Sequence, residues 1–262
     1  MIGEIYNIIF YQPLYNGFAF LVDVIPFHNV GVAIVVLTLL VRFILFPLSH
    51  KSVVTQRKMK QIEPELSEIK EKFKKNKEEQ AKQTMTLYRA HGISPFSSFF
   101  LLFLQFPVFI ALFMILKNGT VFNPDLLYSF VKMPENIGTV FLGIIDVTRS
   151  SYFVSFLAGF SQFVQIHLSM PKVREKIKDN SFKGQLQRSM GVQMKYIMPV
   201  FIFFIAQRFS SGMALYWTTS NVFAILHEIV VARKSKNISQ KNDGKNKHNQ
   251  KIDRELVKQT ND

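Results

Sequence analysis

Residues 30–48 read VGVAIVVLTLLVRFILFPL. Apart from Thr38 and Arg42, no side chain in this stretch is polar. A bilayer's hydrocarbon core is ~30 Å thick and takes about 20 residues of helix to cross, so the stretch predicts a transmembrane helix. The anomaly is Arg42. A charged side chain in mid-membrane costs roughly 2.5–3.5 kcal/mol even on forgiving insertion scales, and it normally faces a partner or a polar cavity. Thr38 lies four residues earlier, on the same helix face.

Working outward, four more apolar segments predict spans at 95–117, 151–170, 196–209 and 213–231, giving an all-α membrane protein with five transmembrane helices. The second is interrupted only by Gln105 and Pro107, and Ser210-Ser211-Gly212 reads as a tight turn joining the last two. Those two are short for a full crossing, which suggests a locally thin bilayer. Residues 1–29 are apolar but broken by Glu4, Pro13, Gly17, Asp23 and Pro26, and read as an interfacial helix, with a kinked extra span as the alternative. No Lys or Arg precedes Arg42, so a secretory signal's basic start is lacking.

Between the first two spans, residues 49–94 place Ile62, Leu66, Ile69 and Phe73, then Ala81, Met85 and Tyr88, at helical spacing. With the break Lys74-Lys75-Asn76-Lys77 between them, they predict two amphipathic helices folded as a hairpin, the first kinked or started by Pro64. Residues 118–150 form a loop with Pro124, Pro134, Gly138 and an apolar patch at 140–145. A basic connection covers 171–195, and 232–262 is a polar tail expected to be disordered.

The charge distribution orients the spans. Segments 49–94, 171–195 and 232–262 hold 11, 7 and 9 Lys and Arg, together 27 of the 32 in the chain, and five spans put all three on one side. By the positive-inside rule that side is cytoplasmic, with the N-terminus outside and the C-terminus inside. Topology thus accounts for the net charge of +14. Without cysteine there is no disulfide, thiol nucleophile, thiolate metal site or lipoprotein anchor.

No acidic residue lies deep in any predicted span to neutralise Arg42, whereas Gln105, Gln162, Gln165, Thr218, Thr219 and Ser220 offer uncharged polar groups. A cation among amides and hydroxyls predicts a water-filled groove open to a negative group that comes and goes. The plainer reading has Arg42 snorkel to the cytoplasmic headgroups, roughly 9 Å away at 1.5 Å per residue. The glutamines can equally serve as interhelical glue. Trp217 reads either as groove lining or as an interfacial aromatic anchor. Met59, Met85, Met170, Met190 and Met194 could make an adaptable cytoplasmic surface, although ordinary packing explains most of them.

An ordered set of segments resembles the YidC/Oxa/Alb family of membrane protein insertases, in its short bacterial form. They are Leu37-Thr38-Leu39-Leu40-Val41-Arg42 with Pro47-Leu48-Ser49, Gln61-Ile62-Glu63-Pro64-Glu65-Leu66, Leu87-Tyr88, Leu104-Gln105-Phe106-Pro107 and Leu157-Ala158-Gly159-Phe160-Ser161-Gln162. Met198-Pro199 and the run Gly212-Met213-Ala214-Leu215-Tyr216-Trp217-Thr218-Thr219-Ser220-Asn221 complete it. Ser94-Pro95 stands where the family usually has Asn-Pro, Ser210-Ser211 where it has Pro-Ala or Pro-Ser, and His227 where a glutamine is common. The large extracytoplasmic domain of some members is not expected here.

The resemblance implies a groove closed outside and open to cytoplasm and lipid, in a bacterial plasma membrane. Arg42 would be its cation, Thr38, Gln105, Gln162, Gln165 and Trp217 its lining, and the second and fourth spans a greasy slide. The implied partners are nascent membrane proteins, the ribosome, the Sec translocon and the lipid bilayer, with no cofactor or metal. The basic tail either touches ribosomal RNA by counterion release or only satisfies the topology rule. An enzyme is not expected: His227-Glu228 lacks the second histidine of a zinc-protease motif, since Val231 stands there. A solute transporter is the better rival, but repeats and coupling acids are not visible.

Overall fold

Asn29 starts the helix that carries Arg42. Its side chain accepts from the Val32 amide at 3.1 Å, capping α3 (Val30–Ile44), and its own amide donates to the Val140 carbonyl at 2.8 Å. The computed structural model describes residues 2–94, 97–117, 122–169 and 193–233. Ahead of α3 run α1 (Ile2–Tyr6), a π turn (Asn7–Tyr11) and α2 (Gln12–Val24). α2 lies against α3 and buries Tyr15, Phe18, Ala19 and Val22.

α3 does not continue straight to Leu48. It stops at Ile44, and α4 (Phe46–Gln61) leaves at 69°. Pro47 sits in the first turn of α4, where its ring and missing N–H cannot continue the ladder of α3. α4 then runs well into the segment expected to be a two-helix hairpin. Pro64 opens α5 (Glu63–Lys72), and Asn76 caps α6 (Lys77–Ala90) by accepting from the Glu79 amide at 3.1 Å. α5 and α6 pack on each other, so three helices occupy residues 46–90 where two were expected.

α7 (Ser97–Lys117) contains Pro107 and packs on α2 and α4. Residues 122–150 hold a small antiparallel pair, β1 (Val140–Phe141) and β2 (Ile145–Asp146), a minor exception to the all-helical expectation. This segment is tied down from several sides. Asn16 donates to the Leu126 carbonyl and accepts from the Tyr128 amide, while the Val30 amide donates to the Gly138 carbonyl and the Gly138 amide to the His28 carbonyl. α8 (Tyr152–Ser169) packs closely on α9 (Met198–Arg208), and Gly159 lets the Pro199 carbonyl approach. The last helix, α10, covers 211–233. Its start is docked on the 122–150 segment: the Ser211 amide and hydroxyl both donate to the Arg149 carbonyl, and the Gly212 amide donates to the Val147 carbonyl.

Among the described residues no single helix is long and apolar enough to cross a membrane; the bent pair α3 and α4 passes only together. The outer faces are nevertheless greasy. Phe156 and Phe160 on α8, and Phe201 and Phe204 on α9, are exposed. Contiguous apolar surface of this kind is rare on soluble monomers. Most of the connection 171–195 and of the tail 232–262, and the Pro95 step, lie outside the described residues.

A Cβ at Gly31 would fall 2.5 Å from Phe141, whereas one at Gly3 would meet nothing within 4 Å. Helix propensity alone favours Ala over Gly by up to ~1 kcal/mol. At Gly31 the clash wins: Gly31→Ala is expected to cost about 1–3 kcal/mol of stability, with Gly3→Ala neutral, as read by thermal unfolding in detergent.

Candidate functional site

Arg42 falls in the last turn of α3, at the negative end of its helix dipole. That placement favours a cation. Its Nε donates to Ser220 Oγ at 2.9 Å, and Nη2 donates to the same oxygen. Ser220 is buried on α10, one turn after Tyr216, which is also buried. Gln105 Nε2 on α7 donates to the Tyr216 hydroxyl at 2.7 Å, and Ser220 lies in hydrogen-bonding reach of that hydroxyl. Arg42, Ser220, Tyr216 and Gln105 thus form one polar chain across three helices.

A guanidinium has five N–H donors, of which Ser220 takes two. Arg42 is partly buried, and none of its nitrogens is among the buried side-chain atoms left without a partner. Among the described residues Arg42 forms no ion pair with a carboxylate. Gln105 Oε1, by contrast, is buried without a partner.

The other expected lining residues divide. Thr38 is buried and donates to the Ile34 carbonyl at 2.6 Å, turned back on its own helix. Gln162 donates to Gln165 at 3.4 Å and Gln165 to Ser169 at 3.1 Å, so their bonds run along α8 rather than to Arg42. Trp217 packs between helices, its ring 5.4 Å from Phe109 and against the cluster of Val154, Ala158, Ala206 and Ala214. A separate tie, Asn221 to Ser161 at 3.1 Å, fastens α10 to α8.

Two groups toward the far end of α10 involve His227 and Glu228, which the sequence showed only as a departure from the family pattern and an incomplete zinc-protease motif, without their partners on α4. His50 Nδ1 and His227 Nε2 share a hydrogen bond at 3.0 Å between the rings of Phe46 and Phe223. Glu228 is buried and lies 3.5 Å from Arg57 and 4.0 Å from Lys60, whose ammonium also donates to the Leu168 carbonyl. Burial holds the Lys60 ammonium below the usual lysine range, with Glu228 opposing the shift. α4 is thereby clamped to α8 and α10. The signal was present in the spacing: Tyr216, Ser220 and His227 lie at i, i+4 and i+11, a polar stripe along an otherwise apolar helix.

The family model described as 60Kd inner membrane protein matches residues 20–240. The chain belongs to this family. Among its relatives, a membrane protein insertase YidC of Wolinella succinogenes is 31% identical over 203 residues, 78% of this chain and 33% of that protein. The protein of that name from Fusobacterium nucleatum is 27% identical over 226 residues, covering 86% of this chain and 97% of the relative. One from Clostridium tetani is 28% identical over 208 residues, 79% of this chain and 84% of the relative. The chain therefore spans about a third of the Wolinella protein but nearly the whole of the Fusobacterium one. The membership agrees with the YidC/Oxa/Alb resemblance carried by Arg42, Gln105 and the run 212–221.

Ser220→Ala removes the one acceptor of both described Arg42 hydrogen bonds and is expected to lower stability by about 2 kcal/mol, the range for hydrogen bonds to charged groups. Tyr216→Phe should cost about 1 kcal/mol by freeing Gln105. The double variant should fall short of the sum, because both belong to one network; thermal unfolding of the three variants measures the coupling.

Proposed function

We propose that this chain is a membrane protein insertase that moves the polar outer segment of a nascent membrane protein along a groove containing Arg42. The observation that carries the reading is the state of that guanidinium. It is held by a neutral hydroxyl on a neighbouring helix through two of its five donors and forms no ion pair among the described residues. The Ser220 contact aims it toward α10 and away from a snorkelling pose. A fixed cation in a medium of intermediate dielectric attracts a carboxylate several-fold more strongly than it would in bulk water. It therefore offsets part of the roughly 2.5–3.5 kcal/mol that an acidic side chain costs at mid-membrane.

In this reading the chain crosses the membrane five times, with the N-terminus outside and the basic segments 49–94, 171–195 and 232–262 in the cytoplasm. Gln105 lines the groove beside Arg42; Thr38, Gln162, Gln165 and Trp217 support its walls. Substrate enters from the side of α4–α6, its acidic or polar tail draws toward Arg42, and its apolar helix leaves into lipid along α7 and α9. Hydrophobic transfer drives that exit, so no cofactor or reaction is needed. The ribosome and the Sec translocon fit as suppliers of substrate, and insertion alone or beside Sec are both consistent with the site. The membrane family and relatives named as insertases support this reading.

The test is insertion of a single-span substrate with an acidic outer tail, synthesised beside proteoliposomes holding the purified protein. Arg42→Ala should slow insertion about tenfold, equivalent to about 1.4 kcal/mol, while Arg42→Lys retains most of it. A neutral-tailed substrate should be affected far less. Equal insertion by wild type and Arg42→Ala, with both folded, overturns the assignment; crosslinks from positions 42 and 105 to stalled nascent chains should vanish with it.

A further inference from the structure

We propose that the outer corner of the molecule, where residues 25–32 meet the β1–β2 turn, is a lipid-binding notch that seats acyl chains of the outer leaflet. A cavity of about 510 Å³ lies there, lined by Ile25, Pro26, Phe27, Val32, Val140 and Leu142 together with Asn29 and Gly143. None of these residues is charged. Its rim presents large apolar side chains outward: Phe27 is 90% exposed, Leu142 73% and Ile144 79%.

The backbone makes this exposure informative. Phe27 has φ +62°, His28 +48° and Leu142 +53°, the left-handed region that bulky residues avoid. Strain of this kind persists only where surrounding structure enforces it, and it concentrates at functional sites. Here the enforcement is visible. Asn29 donates to the Val140 carbonyl, Val30 to Gly138, Gly138 to His28, and the His28 ring Nδ1 lies 3.1 Å from the Val22 carbonyl. Two strained positions thus hold apolar side chains rigidly where water would meet them, which is unfavourable unless an apolar phase covers them.

The occupant follows from position. Val32 belongs to the first turn of α3, the start of the apolar stretch that leads to Arg42, so the notch sits at the level of the outer interface. Phe20 and Val24, one turn apart near the end of α2, are also exposed, with Asp23 partly exposed between them. The uncharged lining of the notch at that depth suits phospholipid chains below the headgroups. The inference rests on the membrane placement proposed above, and its test separates the two.

The chain has no cysteine, so single cysteines can be introduced without background. Phe27→Cys, Leu142→Cys and Ile144→Cys would carry a fluorophore in liposomes of phosphatidylcholine and phosphatidylglycerol. Ile144 carries no left-handed strain and serves if the other two fail to fold. Phe204→Cys on the exposed face of α9 is the in-membrane reference, and Glu78→Cys on α6 the aqueous one. With acyl-brominated phospholipid, labels at 142 and 144 should lose emission as the 204 label does, while the 78 label does not. Quenching at 204 but none at 142 and 144 overturns the notch and leaves the topology standing. No quenching at 204 overturns both. Shielding of 142 and 144 from water only when native membrane proteins are restored assigns the corner to a protein partner and also overturns the proposal.

Discussion

A guanidinium placed inside an apolar helix constrains everything packed around it, because the desolvation cost must be offset by groups from other parts of the chain. Here the offset comes from three sources. The break after Ile44 supplies the negative end of a helix dipole, Ser220 supplies an acceptor on α10, and Tyr216 with Gln105 extends that acceptor into a chain across α7. None is a carboxylate. A carboxylate would bind the cation more tightly and would also neutralise its charge.

Holding that arrangement requires α3, α7 and α10 to keep their register, and the ties sit at both ends. On one side, Ser211 and Gly212 dock the start of α10 on the loop carbonyls of Arg149 and Val147, while Asn29 binds the start of α3 to Val140. On the other, Glu228 with Arg57 and Lys60, and His50 with His227, fasten α4 to α10. Between these ends α10 meets α8 through the cluster of Val154, Ala158, Ala214 and Trp217 and through the Asn221–Ser161 bond. Small residues such as Gly159 and Ala158 permit the close approach of α8 and α9.

The two ends differ in chemistry. The loop side is stapled by neutral backbone and amide bonds, which are indifferent to salt and suit a fixed cap. The α4 side relies on a buried carboxylate whose oxygens have ion-pair neighbours but no hydrogen-bond partner among the described residues. Buried charge with imperfect pairing is weakly stabilising at best. The α4 side therefore depends on ionisable groups, where the loop side does not.

Composition and order alone determined that the chain is helical and membrane-bound and that Arg42 is its unusual residue, because apolar run length and charge asymmetry are one-dimensional quantities. The family resemblance was equally legible, being carried by short segments in fixed order. Which polar groups meet was not. Gln162, Gln165 and Thr38 looked as eligible as Ser220, yet their bonds stay within their own helices. Tyr216 became part of the site only because α10 turns that face toward α7. The 69° break at Leu45, the third helix in 46–90, and the strained corner at Phe27 and Leu142 also depend on packing. Helix rotation and crossing are set by contacts between segments far apart in sequence, so no local pattern encodes them.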